Sequence, residues 1–230
     1  MINLGLKTIK VASTDITNLQ LIRYLLSQKI NLILSSGATS LKELEILFKL
    51  IGPKKNLKKI SLLHCISFYP APINSLNLNV IKNLKKKFKV KVGFSDHSLS
   101  KYTGSFATLL GAEIIEKHIT LNHKMVGPDH KASLEPKGFY KYVKLIRLAE
   151  NSLGDGIKKV EKIERLTKKS MQKSIIVNQI LKKGSKIKGN LVSSMRPAKG
   201  ISPLYIDKII GKKLARSKKK NEILFWKDFK

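Results

Sequence analysis

VKVGFSDH, residues 90–97, and EIIEKH, residues 113–118, are two short runs dense in Val, Ile and Phe that turn polar where they end. Each ends on a histidine, His97 and His118. After the second run the chain becomes polar and rich in Gly and Pro (ITLNHKMVGPDHKASLEP, 119–136). Apolar runs of this length, without alternation, are what strands covered on both faces look like. Each is followed by a helical pattern, KYTGSFATLLGA at 101–112 and PKGFYKYVKLIRLAENSL at 136–153. Two imidazoles at the ends of neighbouring strands can grip one metal ion.

The same unit recurs upstream. KTIKVAS (7–13) precedes NLQLIRYLLSQ (18–28), NLILSSG (31–37) precedes SLKELEILFKLIG (40–52), and KISLLHC (59–65) precedes NLNVIKNLKKKF (77–88). Five strand-then-helix units predict a parallel sheet with helices outside it. An open doubly wound sheet concentrates its site at one switch point, whereas a closed barrel brings every strand end to one face. Polar residues stand at all five carboxyl ends: Ser13 and Asp15, Ser35 to Gly37, Ser67 and Tyr69, Ser95 to His97, and His118. That distribution favours the barrel, and no G-x-G-x-x-G follows the first strand. A complete barrel has eight units, so about three are expected to come from a longer polypeptide or from a second one, since nothing before residue 7 reads as a strand.

The fold expected is therefore α/β: the last five βα units of a (β/α)8 TIM barrel over residues 1–153, a polar linker over 154–171, and a small β-rich domain over 172–230. The third part rests on KSIIVNQ, NLVSSMRP and KLARSKKKNEILFW, short strand-like pieces separated by Gly-, Pro- and Lys-rich turns.

The net charge of +31 points first to an anionic partner. Its make-up argues against specific nucleic-acid binding: the only arginines are Arg23, Arg147, Arg165, Arg196 and Arg216, and base readout favours the arginine fork. The lysines are spread along the whole chain. A single cysteine, Cys65, excludes an internal disulfide and fits a reducing compartment, while no 18-residue apolar run or signal peptide is present; a cytoplasmic protein with no membrane partner is expected.

The residues at the strand ends suggest an anionic substrate. Lys10 lies inside an apolar strand, where an inward ammonium needs a phosphate or carboxylate. Ser36 and Gly37 form a strand-to-helix turn able to offer a hydroxyl and backbone N–H groups to an anion. Octahedral Mn2+ or Mg2+ accepts two imidazoles together with carboxylates, substrate oxygens and water. Asp96 is expected to support the histidines from behind, and Asp129 to reach the site from its loop. Cys65 and His64 read as packing residues.

The blocks KVASTDITN, ILSSGATSLKELE, LLHCISFYPAP, VGFSDHSL, GAEIIEKHITL and GPDHKASLEP, in that order, resemble the sialic acid (N-acetylneuraminate) synthase family. SIIVNQILKKGSKI, MRPAKGISP and IIGKKLAR resemble that family's antifreeze-protein-like (SAF) domain. The resemblance spans almost the whole chain and departs from the usual pattern at SSGAT, where STGM is more common. It implies condensation of phosphoenolpyruvate with N-acetylmannosamine or a related N-acylated hexose to a nonulosonic acid, with release of phosphate. It also implies that His97 and His118 bind the metal, that Lys10, Ser13, Ser36 and Ser95 hold phosphoenolpyruvate, that Asp15, Tyr69 and Asp129 lie on the sugar side, and that Ser67 lies near both. Lys10, Asp15 and Tyr69 are the catalytic candidates, and Gly37 joins the substrate-binding set. Arg196 is expected to reach the N-acyl group in the barrel of a second copy, which implies a domain-swapped homodimer. Without the family's first three strands, little or no activity is expected from this polypeptide alone. A legionaminic or pseudaminic acid synthase is an alternative, GPDHKASLEP resembling sialic and legionaminic more than pseudaminic synthases; a non-catalytic remnant or sugar-binding module is another.

Overall fold

The computed structural model describes residues 5–28, 30–52 and 54–229. Residues 1–4, part of the stretch expected to hold no strand, lie outside that range. The chain divides into two compact units, Met1–Gly156 and Ile157–Lys230.

In the first unit the elements run β1 (Thr8–Val11), α1 (Leu19–Ser27), β2 (Asn31–Ser35), α2 (Leu41–Leu50), α3 (Lys54–Leu57), β3 (Ile60–Cys65), α4 (Val80–Phe88), β4 (Lys91–Asp96), α5 (Thr103–Leu109), β5 (Ile115–Lys117) and α6 (Pro136–Leu153). The five strands pair in parallel in the order β1-β2-β3-β4-β5. Strand order follows chain order without a reversal, which separates this sheet from a doubly wound one. The sheet is also strongly curved. Five strands about 4.8 Å apart would put β1 and β5 about 19 Å apart if flat, yet Lys10 Nζ on β1 reaches Glu116 Oε1 on β5 at 2.9 Å. The first unit is a partial TIM barrel, an arc of five βα units.

Local chemistry explains the elements. Ser40 and Glu43 close a reciprocal cap at the start of α2, whose Leu44 and Leu47 are buried. On α4, Ile81, Leu84 and Phe88 face the sheet while lysines cover the outside, and Lys89 ends the helix in the left-handed conformation. Leu32, Leu34, Leu62, Val92 and Phe94 are fully buried, each contributing about 1.5–3 kcal/mol relative to exposure. At Gly93 a Cβ would lie 2.3 Å from the Ile114 carbonyl oxygen, so this strand position accepts only glycine without a shift of the backbone approaching it. β5 is shorter than the expected 113–118, with only Ile115–Lys117 in the ladder.

In the second unit α7 (Arg165–Met171) precedes β6 (Ser174–Val177), β7 (Val192–Met195) and α8 (Ile206–Ile209). β6 and β7 pair antiparallel. The segment expected as a linker contains α7, which has no buried residue. The expected strand at 213–226 pairs only through isolated bridges, such as Leu181 with Lys218 and Ile176 with Ile223. Ile175, Val177, Leu181, Ile187, Val192, Ile201, Ile209, Leu214 and Leu224 form this unit's core.

Candidate active site

Pleating sets which residues share a face: on β4, Ser95 and His97 point to the concave side and Asp96 away from it, and on β5 and the residue after it Glu116 and His118 point inward and Lys117 away. The rings of His97 and His118 lie 5.4 Å apart, nearly perpendicular. Tyr69, from the loop after β3, stacks on His97 at 4.0 Å and meets the edge of His118 at 5.5 Å. Three rings from three successive strand ends thus form one cluster.

His97 is 5% exposed. Its Nδ1 lies 2.8 Å from the Ile66 carbonyl oxygen. A carbonyl only accepts, so Nδ1 carries the proton and Nε2 presents its lone pair, accepting from the Tyr69 hydroxyl at 3.0 Å, while Ser95 Oγ lies 3.3 Å away with its one proton directed elsewhere. Burial pushes the His97 pKa down, but the Cys65 thiol against the ring, the Ile66 carbonyl and Glu116 outweigh it and leave the pKa above the usual value. His118 goes the other way: burial lowers it further than Asp129, 3.8 Å from its Nδ1, raises it.

Below the rings, Lys10, Glu116 and Ser95 are linked. Glu116 Oε1 accepts from Lys10 Nζ at 2.9 Å and from Ser95 Oγ at 2.7 Å. Burial raises the Glu116 pKa, but these two donors lower it more, so it stays ionised. Glu116 was not anticipated; the available signal was its spacing of two from His118, which puts both on one face of a strand. Lys10 does meet an anion, and that anion is the chain's own carboxylate.

A second focus is Gly37. Its N–H donates to Ser13 Oγ at 3.0 Å. A Cβ there would fall 2.0 Å from Ser67 Oγ, 2.8 Å from Ser13 Oγ and 3.1 Å from Cys65 Sγ. Ser13, Ser67 and Cys65 therefore converge on the turn after β2. Gly37→Ala is expected to displace both hydroxyls and destabilise the first unit by about 1–3 kcal/mol, measured by chemical denaturation of the full chain.

The remaining candidates are placed as follows. Ser36 is buried and its hydroxyl donates to the Leu63 carbonyl at 2.8 Å, into the β2–β3 seam. Asp15 is exposed at the end of the turn after β1, and among the described residues no hydrogen bond or ion pair joins it to the histidines. Arg196 is exposed in the second unit. Cys65 packs its sulfur 3.7 Å from His97 Nδ1. His64 bonds the Leu76 carbonyl at 2.7 Å and is a packing residue. Asp96 does not support the histidines directly. It lies on the opposite face of β4, where Thr103 of α5 and Tyr142 of α6 donate to it, because the residue before an inward-facing histidine on a strand must face outward.

Among the described residues, no three His, Cys, Asp or Glu side chains form a ready ligand group. His97 fits a metal through its fixed tautomer, its other nitrogen held by a backbone carbonyl as ligating histidines usually are. With His118 beside it, the protein offers two neutral nitrogen donors, and a hard divalent ion fills the remaining positions with water and substrate oxygens. A cavity of about 510 Å³ lies away from these residues, along the outer side of β5 against α6, lined by Lys117, Tyr142 and Arg147 among others.

Comparison with known proteins places this geometry. Residues 1–158 match the NeuB family model and residues 172–230 the SAF domain model. The chain is 38% identical over 224 residues to the N,N'-diacetyllegionaminic acid synthase of Campylobacter jejuni, covering 96% of this chain and 66% of that protein. It is 34% identical over 221 residues to the pseudaminic acid synthase of the same species, covering 96% and 64%. The chain thus spans just under two thirds of these relatives' lengths. The crystal structure of the N-acetylneuraminic acid synthetase of Leptospira borgpetersenii, in complex with citrate, superposes with a TM-score of 0.66 at 34% identity, covering 72% of this chain and 57% of that one. With the ordered strands, the polar strand ends and both models in agreement, the chain belongs to the NeuB family and carries a SAF domain.

Proposed function

We propose that this chain forms the phosphoenolpyruvate- and metal-binding side of a nonulosonic acid synthase, which joins phosphoenolpyruvate to the aldehyde of an N-acylated hexose and releases phosphate. The observation that carries the reading is the concave-face cluster of His97, His118 and Tyr69 above Lys10, Glu116 and Ser95. His97 and His118 are the residues to hold Mn2+ or Mg2+, which when bound supplies the Lewis acidity that polarises the sugar aldehyde.

The chain's own residues have separable tasks. Lys10, fixed by Glu116, sets a positive charge against the phosphate and carboxylate of phosphoenolpyruvate, and Ser13, Ser67 and the Gly37 turn add donors. C3 of phosphoenolpyruvate bonds to the aldehyde carbon, whose oxygen takes a proton from solvent; water adds at C2, and as the C2 carbonyl forms the C2–O bond to phosphate breaks and the second proton of that water leaves with the phosphate. Glu116, ionised, accepts the first proton of that water at a carboxylate oxygen and returns it to solvent. Tyr69 orients the His97 ring and faces the sugar side with Asp129 and Asp15. Of the acceptors, N-acetylmannosamine and the diacetamido sugar of a legionaminic acid synthase are both candidates; the relative at 38% identity supports the second.

Both outer strands, β1 and β5, pair on one side only among the described residues. Three further βα units, on a longer polypeptide or a second one, are proposed to close the barrel, and a second copy of the chain to bring Arg196 to the site. Cytoplasmic synthesis fits the lone buried Cys65; no helix among the described residues is long and apolar enough to cross a membrane.

The test is ligand binding by the full chain. Phosphoenolpyruvate with Mn2+ is expected to raise the thermal midpoint of the first unit, and Lys10→Met to remove that shift. No shift with either ligand overturns the proposal. Phosphate release is expected only when the further βα units are added; turnover without them would overturn that part, and binding without turnover in their presence would favour a sugar-binding module.

A further inference from the structure

Behind the two histidines, on the opposite face of the sheet, sits a charge pair that the chemistry above does not use. Asp96 and Lys117 are direct cross-strand partners in the β4–β5 ladder. Their side chains are 0% and 1% exposed, with Nζ 3.3 Å from Oδ2. Asp96 also accepts from Ser98 N at 2.9 Å, Ser98 Oγ at 2.7 Å, Thr103 Oγ1 at 2.6 Å and Tyr142 OH at 2.8 Å. Lys117 donates in addition to the Ser98 carbonyl and lies 5.5 Å from the centre of the Tyr142 ring. The pair joins β4, its following loop, β5, α5 and α6.

Stability alone does not account for it. Taking two charges out of water is costly, and apolar residues of similar size in such places are often as stable or more so; the best-attested service of a buried polar pair is to fix register. The β4–β5 ladder is short. Three residue pairs form it, preceded by the Glu113 N–H to the Val92 carbonyl and the Phe94 N–H to the Ile114 carbonyl, both at 2.8 Å, and a slip by one residue turns every side chain of a strand to its other face. Such a slip would set Glu116 or His118 across from Asp96, opposing a like charge or losing the ammonium, and would turn His118 away from His97.

We propose that Asp96 and Lys117 are positioning residues: their pairing pins β5 in the register that places His118 beside His97 on the concave face. The consequence for the metal rests on the reading of those histidines given above, whereas the register itself does not.

The experiment replaces both members in the full chain, Asp96→Asn with Lys117→Met, which removes both charges and leaves a side-chain amide that Ser98, Thr103 and Tyr142 can still hydrogen-bond. Hydrogen exchange is followed at the amides of Ile115–Lys117 and, for comparison, in β2 and β3, and Mn2+ affinity is measured by titration. Expected are an unchanged thermal midpoint, exchange at least about tenfold faster confined to β5, and Mn2+ affinity weaker by about 10–100-fold, the range seen when the residues behind metal ligands are lost. Unchanged β5 exchange overturns the proposal, and so does faster exchange spread over all strands with a fallen midpoint, which would mark general structural support. If the unsubstituted chain binds no Mn2+, the functional reading fails, and the β5 exchange result alone then upholds or overturns the pin.

Discussion

His118→Ala is expected to lower Mn2+ affinity by more than about a hundredfold, because it removes one of two nitrogen donors where loss of a supporting residue alone costs 10–100-fold. Tyr69→Phe keeps the ring on His97 and is expected to leave affinity largely intact. The pH dependence gives the finer test. Metal competes with the proton for each imidazole. His97 holds its proton to a higher pH than an ordinary histidine, chiefly through Cys65 once burial is overcome, and His118 loses its proton at a lower one. Affinity should therefore fall as pH is lowered through the histidine range, beginning at a higher pH for His97 than for His118, and the protons released per ion should increase as pH falls. The metal-free chain responds in the opposite sense. A folded pKa above the unfolded one gives stability that is complete below the unfolded value and is lost as pH rises through the folded value. The thermal midpoint without metal should fall through that interval while the stabilisation by Mn2+ grows; a midpoint that rises there would show that His97 is not the protonated partner of Cys65. Titration calorimetry in buffers of different ionisation enthalpy reads the proton count.

The parts of the fold that could be read in advance depend on local pattern. Runs such as NLILS and KISLLHC are apolar because helices cover one face and the barrel interior the other, and the helices declare themselves by spacing and by caps such as Ser40 with Glu43. His97 and His118 were legible because both interrupt an apolar run at the same place in the repeating unit. Glu116 was not, since in a chain so rich in lysine the pair Glu116–Lys117 looks like surface charge, and only the curvature that brings Lys10 within 2.9 Å shows otherwise. Asp96 misled for a related reason: adjacency in sequence suggests adjacency in the site, but pleating sends neighbours to opposite faces. The second unit's last expected strand reduces to bridges where Lys218 and Asp228 turn inward, and charged residues are poor signals for a buried position.

That inward pair makes Asp228→Ala the substitution with the largest expected effect on stability. Asp228 has no exposed side-chain surface. It accepts from Lys218 Nζ at 2.8 Å, Arg216 Nε at 2.5 Å and Phe225 N at 2.8 Å. Lys218 is itself 1% exposed; without Asp228 it keeps the half-exposed Glu222 at 2.9 Å and the Ile223 carbonyl at 3.1 Å. Removing one member of a buried pair costs about 3–5 kcal/mol, because the other charge stays behind. A unit running from Ile157 to Lys230 has a total stability on the order of 4–11 kcal/mol at usual per-residue values. The loss is thus a large share of the whole, and in the full chain the second unit should melt well below the first. Asp228→Asn, which keeps an acceptor for the Phe225 N–H but not the charge, should fall between. Burial raises the Asp228 pKa, yet Lys218, the Phe225 N–H and Arg216 outweigh it and hold the carboxyl below its usual value. Its contribution is therefore present above the unfolded carboxylate value and lost as pH falls through the folded one. The unsubstituted unit should lose stability over that acid interval and Asp228→Ala should lose less there, since it has no carboxyl to protonate. Equal acid slopes, or a loss under about 1 kcal/mol on substitution, would mean that Lys218 finds water once its partner is gone, and that the core of this unit rather than its buried charges sets its stability.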